Sequence, residues 1–452
     1  MDFAACLEYL DWLGHELSSP VGPGKFDLHA ITRLLAELDQ PQRRFRSLHI
    51  AGTNGKGSTA AYLDGILQAA GRRHGRFTSP HLERVTERIT LNGEEIEPAE
   101  FARHCSAAQA AAERLLARGE LRRPPSFFET LTAIGFLAFA GAGVEFAVVE
   151  TGMGGRLDAT NLVQPAVCAI TPIGMDHERY LGSTLSAIAG EKAGIFKPGV
   201  PVVAAPQPPE AEAVLRRHAS AVGAPWREAA GASAAEPAAD GRYRFSCRYR
   251  GKELQLEPSL RGRHQIVNAW TAVRAAEVID EAGGRIPAEA VAAGIGDCRW
   301  PGRLERLPSR PGRPEVWADG AHNPAAARVL AGFMVEFWGS RLPVLIFGCM
   351  RDKAIAELGE ILFPRARAVI ATAPRQSRAA RPETIHEAFT GLPISTAADL
   401  PRALALADDI AGEADILIAG SLYLVGEARA ALGAEQGKAR EWEASADRTG
   451  TP

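Results

Sequence analysis

The sequence predicts an α/β protein in two parts: a large N-terminal phosphate-loop domain built as three layers around a mostly parallel sheet, and a smaller C-terminal Rossmann-like α/β domain. Three observations predict it. At "RSLHIAGTNGKGSTAAYLDGILQAAG" a short apolar run enters a Gly-rich turn with a lysine and leaves in an apolar pattern of helical period. "VEFAVVE" and "AVCAITPI" are short apolar runs of the kind that form buried parallel strands, with helical segments between such runs. After a stretch rich in Pro, Gly and Arg, "CRWPGRLERLPSRPGRPEVW", the alternation of strand and helix starts again.

Taken in order, residues 2–17 and 27–39 read as helices around the turn-rich "SSPVGPGKFD". A strand is expected at 46–51 and a helix at 57–70. "RITLNGEEI" is a hairpin, because Asn92-Gly93 tolerates the positive φ of a tight turn. Helices follow at 98–118 and 127–141. Residues 228–240, "EAAGASAAEPAAD", are of low complexity and read as a surface loop. A helix is expected at 265–282. In the second part, strands are expected at 315–319, 342–348, 367–372 and 414–419. The domains are then 1–298 and 299–435, with 436–452 as a frayed tail lacking an apolar face.

Composition narrows the function. The 452 residues suffice for two or three domains, and 46% are hydrophobic, enough for sizeable cores. The net charge of −3, with no long run of one sign, argues against a nucleic-acid footprint. Six cysteines are scattered without a CxxC pair, so zinc and a disulfide framework are not expected and a reducing compartment is. The first residues carry acids and no basic n-region, so no signal peptide is expected. No stretch approaches the ~20 apolar residues that cross a bilayer. The expectation is a cytoplasmic monomer that meets small molecules, not nucleic acid or membrane.

Four stretches of the first domain, and two of the second, carry candidate chemistry. In the first, Gly52, Gly55 and Gly57 allow tight turns with inward N–H groups, the following helix offers its positive end, and Lys56 adds a charge for phosphates. The spacing departs from G-x-x-x-x-G-K-[ST], and an ordinary Gly-rich turn is the competing reading. In the second, Glu150 ends a buried strand, where open α/β sheets place ligands. In the third, Asp176 and His177 follow another strand. Glu150 and His177 beside a phosphate loop suit Mg²⁺, although a histidine is an unusual ligand for it. In the fourth, Lys192 lies on a helix ending at Gly and Pro, and by itself reads as a solvated lysine. In the second domain Asp319 and His322 sit in a turn where Asn323-Pro324 could simply cap a helix. Ser421 begins another helix, at an N-terminus that suits a carboxylate.

Together, "AGTNGKGST", "TSPHL", "TERI", "ETGMGGRLDATN", "DH…LG", "EKAGIFKPG", "PGRLE", "DGAHNP", "GCMRDK" and "AGSLYLV" resemble folylpolyglutamate synthase, whose bacterial form is often also dihydrofolate synthase, within the Mur-type ligases. The resemblance covers about residues 5–430. It implies that Asn54, Gly55, Lys56, Gly57 and Ser58 hold ATP phosphates and that Asn268, Arg303 and Asp319 contact ATP. It implies Ser79, Glu150, His177 and Lys192 as ligands of two Mg²⁺ ions, with Lys192 carbamylated. Arg88, His322 and Ser421 resemble the L-glutamate site, and Lys56, Lys192 and His322 the catalytic set. Pro125, Ser126, Phe127 and Phe128, with Leu157, Asp158 and Ala159, resemble the pterin side; the first segment departs from the family, which often has a threonine and an aromatic at Ser126 and Phe127.

The implied reaction is ATP-dependent amide formation through an acyl phosphate, attacked by the amine of L-glutamate, on folate or dihydropteroate. One domain would hold the triphosphate and the other present glutamate, with closure excluding water. Two alternatives stand beside it: a Mur-type ligase for another acid and amino acid, and a nucleotide-binding switch that hydrolyses ATP slowly.

Overall fold

A computed structural model describes residues 1–14, 27–229, 235–309, 312–389 and 391–433. Residues 15–17 of the first expected helix, most of the "SSPVGPGKFD" turn and the expected tail at 436–452 lie outside the described residues. The chain divides into two units. One holds Met1–Ala238, Arg242–Ser259 and His264–Arg299; the other holds Ala239–Gly241, Leu260–Arg263 and the chain from Trp300.

The first unit is built on an eight-stranded sheet. Its order is Glu94–Glu95, Ile89–Leu91, His74–Phe77, Phe146–Glu150, Arg46–Ala51, Pro165–Ile170, Val202–Ala204 and Trp226–Glu228. From His74–Phe77 through Trp226–Glu228 the pairs are parallel; the hairpin about Asn92-Gly93 is antiparallel, and its strand Ile89–Leu91 also runs antiparallel to His74–Phe77. Ile50 lies opposite Glu150, and Ala51 opposite Ile170, so three strands end at one level. Ala147 and Val149 join a core with Ile134, Phe136 and Phe139. Cys168 and Ile170 join another with Ile188 and Leu215. Burying one such side chain contributes about 1.5–3 kcal/mol, so strands this short are held by their helices.

The helix Lys56–Ala69 follows the Gly turn. Its Gly65 meets Gly294 of the helix Ala288–Gly296 so closely that a Cβ would lie 2.6 Å from the Gly294 oxygen. That contact fixes the helix that begins at the phosphate loop. The helices Pro98–Ala117, Phe127–Gly141 and His264–Ile279 form where the periodicity places them.

Six strands of the first sheet or its neighbour escape the sequence reading. His74–Phe77 ("HGRF") is a buried strand written in polar residues: Asp64 takes Arg76 at 2.7 Å, and Gly75 makes room for Phe139. Val202–Ala204 and Trp226–Glu228 are too short to show a period. Tyr243–Tyr249 forms, with Lys252–Leu256 and Glu236–Pro237, a separate three-stranded antiparallel sheet. The low-complexity stretch 228–240 is therefore not a loop throughout, since it contributes the strand Glu236–Pro237.

The second unit carries a six-stranded sheet ordered Glu305–Leu307, Val316–Ala318, Ile416–Ala419, Val344–Phe347, Ala368–Ala371 and Ile394–Thr396. Glu305–Leu307 pairs antiparallel, and the other pairs are parallel. The stretch read as a joint thus supplies an edge strand. No helix among the described residues is long and apolar enough to cross a membrane.

Candidate active site

The turn after Arg46–Ala51 is shaped by two glycines. Gly52 has φ +151°, and a Cβ there would lie 1.9 Å from the Thr171 hydroxyl; Gly55 has φ +89°, and a Cβ would lie 2.2 Å from Asn268 Oδ1. Both sites reject any larger residue. The N–H groups of Thr53 and Asn54 donate to the Pro172 carbonyl at 3.1 and 3.2 Å, which ties the loop to the neighbouring strand end. Lys56 opens the helix and folds back, its Nζ donating to the oxygens of Gly52 and Thr53, each at 3.2 Å.

Lys192 reaches the same loop. It sits near the end of the helix Leu185–Ala193, only 4% exposed, and its Nζ donates to the Gly52 oxygen at 2.7 Å. The reading of a solvated lysine is overturned by this burial. Burial, then the charge of Lys56, pulls its pKa down to about 7, against an opposing pull from Asp176 and Asp158.

Asn268 and Gln265 share one face of the helix His264–Ile279. Asn268 Nδ2 donates to Gln265 Oε1 at 2.9 Å, and Gln265 Nε2 donates to Ser58 Oγ at 3.3 Å. Gln265 is a site residue that the sequence reading missed; its spacing of three from Asn268 in "HQIVN" is the signal that marks it.

Glu150 is the buried last residue of its strand, and its Oε2 accepts the Ser79 N–H at 3.2 Å. A carboxylate beside a serine is a hard-oxygen donor set of the kind Mg²⁺ accepts while keeping waters and phosphate oxygens. Among the described residues no three His, Cys, Asp or Glu gather as a metal cluster. His177 adopts a left-handed conformation, φ +53°, and its N–H donates to Asp176 Oδ1 at 2.9 Å. Asp176 acts electrostatically on Lys192, which sets this turn near the lysine.

Arg88 is buried, its Nε donating to His81 Nδ1 at 2.8 Å and its guanidinium 5.4 Å from the Phe127 ring centre. Ser126 caps the helix Phe127–Gly141 in a reciprocal box with Glu129, and Phe128 packs on Phe77 at 6.0 Å. Asp158 is held within its own loop: it accepts from Met153 N, Thr160 N and Thr160 Oγ at 2.9, 3.0 and 2.6 Å, while burial raises its pKa. Pro125 and Ala159 are buried and Leu157 half-buried beside these residues in sequence.

Arg303, Asp319, His322 and Ser421 belong to the second unit. Asp319 accepts from the N–H groups of Leu304 at 3.0 Å and Ala321 at 2.9 Å; burial raises its pKa, opposed chiefly by Arg303. Gly320 leaves space for Arg303, whose Nη1 would lie 2.8 Å from a Cβ there. His322 Nδ1 donates to the Gly320 oxygen at 2.8 Å, and Asn323 caps the helix Pro324–Phe333. Gly420 N donates to the Ala321 oxygen at 3.0 Å, joining the two turns that carry His322 and Ser421. Ser421 Oγ accepts Tyr423 N at 3.2 Å at the start of the helix 422–433.

A phosphate loop on a parallel sheet, followed by a second α/β unit, defines a Mur-type ligase: residues 50–276 match the Mur ligase middle domain and residues 302–422 the Mur ligase, glutamate ligase domain. Within that class, the chain belongs to the dihydrofolate synthase/folylpolyglutamate synthase family. It is 36% identical over 437 residues to the dihydrofolate synthase/folylpolyglutamate synthase of Bacillus subtilis, covering 95% of this chain and 100% of that one. Among solved structures it is similar to Mycobacterium tuberculosis folylpolyglutamate synthase complexed with ADP, with a TM-score of 0.86, 34% identity and 96% and 99% of the two chains covered. It is similar also to E. coli FolC in complex with DHPP and ADP, with a TM-score of 0.82, 27% identity and 96% and 99% covered.

Proposed function

We propose that this protein joins L-glutamate to a folate, and to dihydropteroate, at the expense of ATP. The observation that carries the reading is the convergence of Lys56 and Lys192 on the Gly52 oxygen in a loop shaped for phosphate. The likeness over 90% or more of the chain to relatives named for both synthase activities supports these acceptors.

In this reading a carboxylate oxygen of the acceptor attacks the γ-phosphorus of ATP, and ADP leaves. The amine of L-glutamate then attacks the acyl carbon, phosphate leaves, and the amine gives up a proton. Lys56 and the N–H groups from Gly55 to Ser58, with Asn54 beside them in the loop, hold the phosphates, and Lys56 neutralises charge on the transferring group. Glu150, Ser79, His177 and Lys192 would hold two magnesium ions, which when bound neutralise phosphate oxygens. Lys192, as a carbamate, would be an oxygen ligand. Asn268, Arg303 and Asp319 orient ATP. Arg88, His322 and Ser421 hold glutamate, and 125–128 with 157–159 hold the pterin. The domains 1–298 and 299–435 divide this work. The protein is taken as a cytoplasmic monomer, in keeping with six free, buried thiols.

The test is ADP release with dihydropteroate or tetrahydrofolate, each with and without glutamate. Release that needs both acceptor and glutamate supports the reading. Release indifferent to both supports a nucleotide switch, and release only with another acid supports a different Mur-type ligase.

A further inference from the structure

We infer that Asn161 is a positioning residue for Lys192, because its side-chain amide joins the loop 151–162 to the end of the helix that carries that lysine. The inference rests on the role proposed above for Lys192.

Asn161 is buried, and its amide is fully engaged. Nδ2 donates to the Arg156 oxygen and to the Gly194 oxygen, both at 3.0 Å. Oδ1 accepts from Lys197 Nζ at 2.8 Å, and the same ammonium reaches the Asn161 carbonyl at 3.2 Å. Gly194 is the cap of the helix Leu185–Ala193, two residues past Lys192. Around this amide the backbones touch. Arg156 N donates to the Glu191 oxygen at 2.8 Å. A Cβ on Gly155 would lie 2.9 Å from the oxygens of Glu191 and Lys192, and one on Gly194 would lie 2.3 Å from Arg156 Cβ. The helix end is therefore seated on the loop with no slack.

The loop is anchored on its other side to the strand that delivers Gly52. Thr160 Oγ gives its single proton to Asp158 at 2.6 Å, so it accepts from His49 Nε2 at 2.9 Å. His49 lies on Arg46–Ala51. Loop, strand and helix end form a frame whose opposite corners are Gly52 and Lys192, and Lys192 Nζ spans it at 2.7 Å. A long side chain places its tip well only if its root is fixed, and an error of about 1 Å in a reacting group costs on the order of 100-fold.

The test is a double-variant cycle read by ADP release, with turnover and the KM for ATP measured separately. Asn161→Leu keeps the size, adds no charge and removes both donors. Its kcat should fall about 10- to 100-fold with the KM for ATP within about twofold. In the Lys192→Ala background the same change should alter the residual rate by less than about twofold, because a residue acting through Lys192 has nothing left to position. Losses that multiply in the double variant, or parent turnover in folded Asn161→Leu, overturn the inference. Lys192→Ala with parent turnover overturns the reading of Lys192 itself, and the inference with it. Should Asn161→Leu not fold, Lys197→Met frees Oδ1 and the Asn161 carbonyl while leaving both Nδ2 donations in place; it should show a smaller loss with the same failure to multiply, and multiplying losses there overturn the inference equally.

Discussion

Lys56 and Lys192, 136 positions apart in the chain, donate to one backbone oxygen, that of Gly52, at 3.2 and 2.7 Å. Two amines on one carbonyl repel each other if both are charged, and the buried one is the one whose pKa falls, to about 7. In the proposed mechanism this pair would divide the work of the site, Lys56 as a cation for phosphate and Lys192 as an amine open to modification.

Replacing Lys56 by alanine removes a charge whose contact strengthens as the phosphoryl group transfers. Turnover should fall about 100- to 1,000-fold, in line with loss of one transition-state donor. The fold should persist, because among the described residues the ammonium bonds to loop oxygens, those of Gly52 and Thr53. Steady-state turnover with a circular dichroism control checks this; near-parent turnover would remove Lys56 from the mechanism.

Glu150→Gln keeps the shape and the Ser79 contact but loses the negative charge, and His177→Ala removes a ring nitrogen. Each should raise the Mg²⁺ concentration for half-maximal rate by at least about 10-fold. Metal titrations of the two variants and the parent decide it. Superimposable curves would place the metal elsewhere.

Arg88→Lys keeps a charge and loses the planar fork that can pair with a carboxylate. A hydrogen bond to a charged group is worth about 1.5–3 kcal/mol, so the glutamate KM should rise about 10- to 150-fold while that for ATP stays near the parent value. Equal rises for both substrates would argue that Arg88 only braces His81 and Phe127.

The depressed pKa of Lys192 has a sign in stability. In metal-free, CO₂-free protein the unfolded lysine keeps its proton up to an ordinary pKa of 10.5, whereas the folded one loses it near 7. Between those values the unfolded chain binds more protons, so stability rises with pH; below about 7 both states are protonated and the burial cost is fully present. The Lys192→Met variant lacks this dependence. Denaturant melts at several pH values should show the parent gaining on the variant as pH rises from 7 towards 10, by up to about 1.4 kcal/mol per pH unit. Parallel profiles would mean that the folded lysine titrates normally.

Much of this was legible in the sequence, and the rest was hidden for physical reasons. Gly55 and Lys56 announce a phosphate loop because few other residues fit a left-handed turn opening a helix. Lys192 could not be read from periodicity: "LSAIAGEKA" has a lysine at a helix end, where solvated lysines are common, and only the resemblance marked it. Its burial comes from the close seating of Gly155 and Gly194, which no local pattern displays. His74–Phe77 was missed because a buried ion pair replaces the apolar residues that mark a strand. Gln265 was passed over because its partner Ser58 lies 207 positions away.

The central claim is that the acceptor carboxylate is phosphorylated before the amine arrives. Oxygen transfer tests it directly. Dihydropteroate or tetrahydrofolate labelled with a heavy oxygen isotope in its reacting carboxylate is turned over with ATP and L-glutamate, and the released phosphate is weighed by mass spectrometry. An acyl phosphate leaves one labelled oxygen in each phosphate, with one glutamyl amide formed per label transferred. Unlabelled phosphate released alongside the amide would contradict the account.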